Sequence, residues 1–346
     1  MSDISQIDKN FEVKTASGDG MFYFSCLEKP FSVHGVIQGE NSFVRLPTTV
    51  AASVSRNVEG LNYCTAGGRV RFVTDSPKIN VRVKLNRVGK MPHFALTGSI
   101  GCDLYDGKYY LGTFVPPFDV EDGYISEINL KTRKPRELTI NMPLYSGVSL
   151  FEIGLCAGSS LKAAGDYKLP VPVVYYGSSI TQGGCASRPG NSYQSIISRE
   201  LDCDYINLGF SGSAKAEDEI ARYIAGLEMS AFVYDYDYNA PDSEHLKNTH
   251  ERMFKIIRES QPELPVLMLS RPQSRLDEEA RRRRDIIMHT YISARYAGDE
   301  NVYFLDGGQI LNIFGGDSGT VDNCHPNDLG FMCMAKAIGN ILKEIL

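Results

Sequence analysis

The sequence predicts an α/β protein in two parts: an all-β, jelly-roll-like sandwich followed by a three-layer α/β/α half built on a parallel sheet. Three observations carry this. A chain of 346 residues exceeds what one hydrophobic core usually organises. Its first part shows short runs of alternating apolar residues, and its second shows compact apolar runs separated by amphipathic helical stretches.

The β-rich rhythm runs from about Phe11 to Ile153 and is clearest at Val70–Thr74, Ile79–Leu85, Tyr109–Phe114 and Glu137–Met142, with Gly, Pro, Asn and Asp turns between. No helical period long enough to interrupt these strands is visible. Residues 158–169 connect the halves, so we expect an accessory domain over 1–168 and a second domain over 169–346. There VPVVYYG, YINLGF, AFVYDY, PVLMLS and VYFLDG read as five parallel strands covered on both faces. A ligand site is expected at their carboxyl ends, which lead to Ser179, Gly212 and Asn239. The last helix begins near Asn327 and places Ala335, Ile338, Ile341, Leu342 and Ile345 on one face.

Composition narrows the function classes. A net charge of -6 argues against nucleic acid or an anionic membrane as partner. The basic run Arg281–Arg284 follows Glu278 and Glu279, as on a charge-paired exposed helix. No apolar run approaches the roughly 18 residues needed to span a bilayer. The start MSDISQIDKN has neither the basic residues nor the apolar core of an export signal, so the chain as written reads as cytoplasmic, with a periplasmic or secreted place left open if a leader precedes it. Tryptophan is absent, leaving tyrosine for sugar stacking. The eight cysteines are scattered with no CxxC pair and read as buried thiols; Cys185 and Cys324 flank the segments described next and raise a reactive-thiol alternative. His245 and His250 lack HExxH spacing and read as residues of a solvated helix, so no metal is assigned.

Ser179 lies in Gly177-Ser178-Ser179-Ile180-Thr181-Gln182-Gly183, directly after the first strand of the second half. A serine there sits on a strand-to-helix turn, with hydroxyl and amide exposed. The Gly-Lys-Ser/Thr ending of a nucleotide loop is missing. Far downstream, Asp322-Asn323-Cys324-His325 precedes Pro326, which restricts His325 to extended backbone and favours a helix start just after it. A serine hydroxyl needs an imidazole to take its proton and a carboxylate to orient that imidazole. Ser179, His325 and Asp322 are candidates for those roles.

With these residues in view, the chain resembles the SGNH hydrolases, also called GDSL esterases. Four blocks recur in order: Ser179 in GSSITQG, Gly212 in NLGFSGSA, Asn239 in DYDYNAP and His325 in DNCHP. The resemblance implies a flavodoxin-like SGNH hydrolase domain with Ser179 as nucleophile, His325 as base and Asp322 as orienter. It also implies an oxyanion hole of the Ser179 and Gly212 amides and the Asn239 side chain. Two positions depart from the family pattern: Ser178 stands where an aspartate is usual, and Ala240 where the third block commonly continues with aspartate. In the first half, Gly101-Cys102-Asp103-Leu104-Tyr105 matches the GxDLY signature of a β-module that precedes one branch of these enzymes, with similar segments at Arg45-Leu46-Pro47 and Pro143–Gly147.

The resemblance further implies a carboxylic ester as substrate and needs no cofactor. A β-sandwich joined to such a domain is similar to bacterial esterases that remove acetyl groups from oligosaccharides. Arg188, in GCASRPGNS just beyond the serine, is a candidate substrate contact. The alternatives are a lipid or short-chain acyl esterase, expected to show a broad apolar groove beside Ser179, and a glycan-binding protein that has kept the scaffold without turnover. No oligomeric state is implied.

Overall fold

A computed structural model describes residues 4–8, 20–314 and 316–346. The expected start of the β-rich rhythm at Phe11 lies outside the described residues.

Among the described residues the first half contains two main antiparallel sheets and a small two-stranded one, Ile37–Gln38 with Phe43–Val44. One has four strands in the order Met21–Ser25, Gly147–Cys156, Lys78–Arg87 and Gly123–Asn129. The other contains Leu161–Lys162, Arg69–Thr74, Arg136–Asn141, Cys102–Asp106 and Tyr109–Phe114, with Ser32–His34 added beside Arg69–Thr74. Alternate residues face inward, so Val70 and Phe72 meet Val81, Val83, Phe151 and Ile153 in one core. All four expected strands are present, within a few residues of their predicted ends.

Short helices also occur in this half, none of them interrupting the expected strands. Thr48–Val54, Arg56–Asn62 and Leu96–Ser99 are helical. They are too short to display a 3.6-residue period, and tertiary contact rather than pattern stabilises them. Ala51 and Val58 pack into a core shared with Ala221, Ile224 and Phe210 of the second half.

The second half carries five parallel strands in the order Cys203–Gly209, Leu169–Gly177, Ala231–Asp235, Val266–Leu269 and Val302–Leu305. Numbered by sequence this is 2-1-3-4-5, the flavodoxin-like order, whose switch point lies beside the first strand. Helices Tyr193–Leu201 and Asp328–Ile345 pack together over one face, while Asp218–Ala225, Ser243–Ser260 and Glu278–Tyr296 lie together over the other. No described helix is long and apolar enough to cross a membrane.

Two helix readings change. Glu278–Arg282 and Glu279–Arg283 form the expected ion pairs, yet Arg283 is buried and donates to the carbonyls of Asp237 and Ala240. His250 is buried rather than solvated. It stacks 4.4 Å from the Tyr234 ring and shares a 2.9 Å hydrogen bond with Thr290, and burial pushes its pKa down to about 3. His245 meets the Lys215 carbonyl at 2.9 Å.

Candidate active site

The strand Leu169–Gly177 delivers the chain to a short helix, Ser179–Gln182, at the sheet's carboxyl edge. Gly177 is required there, because a Cβ would lie 1.9 Å from the Asp235 carbonyl oxygen. Ser178 caps the helix by accepting from the Ile180 amide at 3.1 Å. Serine and aspartate are interchangeable as N-caps, so this departure from the family pattern keeps the cap without placing a carboxylate in a buried position. Gly183 ends the turn at φ 100°.

Ser179 Oγ lies 2.8 Å from His325 Nε2, and His325 Nδ1 lies 2.8 Å from Asp322 Oδ2. An ionised carboxylate only accepts, so Nδ1 carries the ring hydrogen and Nε2 presents its lone pair to the hydroxyl. Asp322 Oδ1 accepts from the amides of His325 at 2.7 Å and Cys324 at 3.1 Å. Partial burial works against the Asp322 charge, but these amides and the imidazole outweigh it and hold its pKa below the ordinary carboxylate value. Asn323 turns the loop at φ 65°, and Asn327 caps the final helix by accepting from Leu329 and Gly330.

Gly212 adopts φ 67°, with open space where a Cβ would stand. The Asn239 side chain donates one amide hydrogen to the Phe210 carbonyl at 2.8 Å, leaving its second N–H available. Its turn is held by Asp237, which is buried, ion-paired with Arg271 at 3.0 Å and approached by Arg283. Ala240, the second departure, is buried, and its carbonyl is held by Arg283.

Arg188, expected as a substrate contact, turns instead toward the β-rich half. Its guanidinium lies 3.3 Å from Asp103 Oδ2, donates to the Tyr105 hydroxyl and sits 4.0 Å over the Tyr110 ring. Asp103 also accepts from Gly190 N at 2.8 Å and Asn141 at 2.7 Å. The GxDLY residues thus grip the loop just after Ser179.

The other two quoted segments meet the same region. Tyr145 donates to the Ser179 carbonyl at 3.1 Å, Gln182 donates to the Leu144 carbonyl at 3.3 Å, and Arg45 donates to the Gly209 carbonyl and lies 4.4 Å over Phe210. Sequence reading missed one further neighbour. His93 comes from the loop after Lys78–Arg87 and places its ring 6.0 Å from that of His325, with Nε2 4.0 Å from Asp322. A lone histidine in an irregular loop carries no pattern that would reveal this.

Cys185 and Cys324 both lie at the site, and burial, more than the neighbouring acidic charge, pushes each thiol up to about 11. They are therefore protonated at neutral pH rather than reactive thiolates.

The family model for GDSL-like lipases/acylhydrolases matches residues 170–343. The chain belongs to this family. It is a carboxylic ester hydrolase with a GxDLY amino-terminal module, whose model matches residues 21–161. Among solved structures, a Bacteroides ovatus protein classed as a GDSL-like lipase is 27% identical with a TM-score of 0.84, over 94% of this chain and 98% of that one. The salicylyl-acyltransferase of a tetracycline biosynthetic pathway shares the fold at 19% identity and a TM-score of 0.79, over 95% and 99% of the two chains. A family two carbohydrate esterase from Clostridium thermocellum, seen with cellohexaose, does so at 15% identity and a TM-score of 0.58, over 81% and 92%. No curated protein matches the sequence.

Proposed function

We propose that this GDSL-family hydrolase removes acetyl groups from carbohydrate through an acyl-Ser179 intermediate. The observation that carries the catalytic reading is the unbroken relay Ser179 Oγ to His325 Nε2 and His325 Nδ1 to Asp322, both steps 2.8 Å. In the first step His325 takes the Ser179 proton as Oγ bonds to the ester carbonyl carbon. The resulting oxyanion accepts from the Ser179 and Gly212 amides and the free N–H of Asn239. Collapse expels the alcohol, which receives the proton from His325. Water, deprotonated by the same imidazole, then attacks the acyl group, and Ser179 leaves with that proton restored.

A groove in the β-rich half, lined by both chain neighbours of His93, supports carbohydrate as the alcohol. Pro92 and Phe94 flank His93, and with Lys90, Met91, Phe118, Asp119 and others they line a cavity of ≈ 770 Å³. The Phe118 ring, 87% exposed, supplies an apolar platform, while Lys90 and Asp119 supply polar edges. A sugar presents that combination of apolar face and hydroxyl rim; a long acyl chain calls for a groove without charges. The carbohydrate esterase seen with cellohexaose has a similar fold. In this reading residues 1–168 form the accessory domain that builds the groove, and residues 169–346 carry the chemistry.

Hydrolysis of p-nitrophenyl acetate, longer acyl esters and acetylated oligosaccharides, measured for the wild type beside Ser179→Ala, tests this. Ser179-dependent release that favours acetyl and acetylated sugars is expected. Rising activity with chain length would move the assignment to lipids, and release unchanged in Ser179→Ala would overturn the catalytic reading.

A further inference from the structure

We propose that His93, Cys185 and His325 form a binding site for one thiophilic divalent cation, of which zinc is the probe, and that filling it switches the esterase off. The three residues come from separate segments: the loop after Lys78–Arg87, the loop after the nucleophile turn, and the last sequence block. Their ligand atoms lie within 4.8 Å of one another.

Donors of a tetrahedral zinc site stand about 2.0–2.3 Å from the ion, and hence roughly 3.5 Å from each other. Closing the remainder needs a shift of about an ångström. His93, 44% exposed in its side chain, has the freedom to supply it. Cys185 is buried and held at φ 74°, a conformation that few non-glycine residues adopt and that tertiary structure must impose. The donor types decide the ion. One thiolate and two imidazoles suit zinc and its neighbours, whereas magnesium and calcium require oxygen.

Electrostatics favour a cation at this point. The Asp322 carboxylate lies 4.0 Å from His93 Nε2 and offers either a fourth donor or a fixed negative charge. Binding replaces the thiol proton: the sulfur–hydrogen bond breaks, the sulfur lone pair passes to the metal, and the proton leaves to solvent.

The effect on turnover rests on His325 being the base, as proposed above; the binding itself does not. Coordination through Nε2 removes the acceptor of the Ser179 proton. Coordination through Nδ1 displaces the bond to Asp322. Either way the imidazole no longer cycles a proton.

The full chain, stripped with EDTA and desalted, is titrated with zinc chloride against a chromogenic chelator, with p-nitrophenyl acetate hydrolysis followed in parallel and magnesium chloride as control. Expected are one zinc per chain, release of a proton, at least a tenfold loss of rate at saturation that EDTA reverses, and no effect of magnesium. Cys185→Ser and His93→Asn should each weaken zinc binding about tenfold or more, the range seen when a supporting partner of a metal site is lost. Substituting cobalt should produce a thiolate-to-metal charge-transfer band that Cys185→Ser abolishes.

Absence of stoichiometric binding in the wild type, unchanged affinity in both variants, or full activity with zinc bound would each overturn the proposal. Ser179→Ala should bind zinc like the wild type. This keeps the metal site testable even if the catalytic assignment of Ser179 fails.

Discussion

At the scale of single residues, the site is a set of hydrogen bonds whose directions are set by backbone turns. Asp322 uses one oxygen to hold its own loop, through the His325 and Cys324 amides, and the other to orient the imidazole. Asp322→Asn preserves the shape but offers the ring an amide that can also donate, which favours the wrong tautomer. Turnover should fall about 10²- to 10⁴-fold with the circular dichroism spectrum unchanged; a wild-type rate would remove Asp322 from the relay. Asn239→Ala should lower kcat by about 10²- to 10³-fold with little change in KM, since its free N–H meets charge that develops only during reaction. A change confined to KM would make Asn239 a ground-state contact.

At the scale of elements, buried ionisable groups on a strand and a helix make stability depend on pH. Asp235 ends the strand Ala231–Asp235, and burial, opposed by the Thr181 hydroxyl and reinforced by Asp237, pushes its carboxyl up from 3.8 to about 8. Between those values the folded chain holds a proton that the unfolded chain has lost, so this residue makes stability fall as pH rises from about 4 to about 8. Asp235→Asn should lose that decline. Denaturant unfolding at several pH values reads it directly, and a wild-type-to-variant difference that stays constant with pH would contradict it. His250 works in the other direction. Its imidazole is driven from 6.5 to about 3, so the unfolded chain takes up the proton first and stability is lost as pH falls below 6.5. His250→Gln should therefore show a shallower loss of stability toward acid, measured by the same unfolding series.

At the scale of the whole molecule, the two halves share cores and polar clasps rather than a flexible joint. Leu144, Tyr145 and Phe94 pack with Tyr175 and Tyr193, while Leu46, Ala51 and Val58 join the core on the other side of the sheet. Arg188 and buried Asp103 are central to the polar contact. Arg188→Ala leaves a buried carboxyl without its cation, a change that costs about 3–5 kcal/mol where a pair is fully buried and less here because Arg188 is partly exposed. Thermal unfolding should remain a single transition at lower Tm, with KM nearly unchanged. A raised KM at unaltered Tm would return Arg188 to the role of substrate contact.

Much of this was legible without coordinates, because the information was local. Five apolar runs alternating with amphipathic stretches leave few choices besides a parallel sheet, and that sheet brings Ser179, Gly212 and Asn239 to one edge. Asp322 and His325 are three positions apart, so one loop brings them together. What local pattern does not encode is which distant side chains fill the space around that edge. The helices Thr48–Val54 and Arg56–Asn62 are too short for a period to show, and Arg283 looks like any residue of a charged helix until Asp237 is seen beneath it. Arg188 and His93 are loop residues with neither period nor motif; docking of the two halves pairs the first with Asp103 and Tyr105 and brings the second to the relay. By itself the sequence determined the strands and the candidate groups Ser179, Asp322 and His325, since hydrophobic period and turn chemistry act over a few residues. Only tertiary structure decided the shared cores, the clasps and the surroundings of His325, since those depend on packing between segments far apart in the chain.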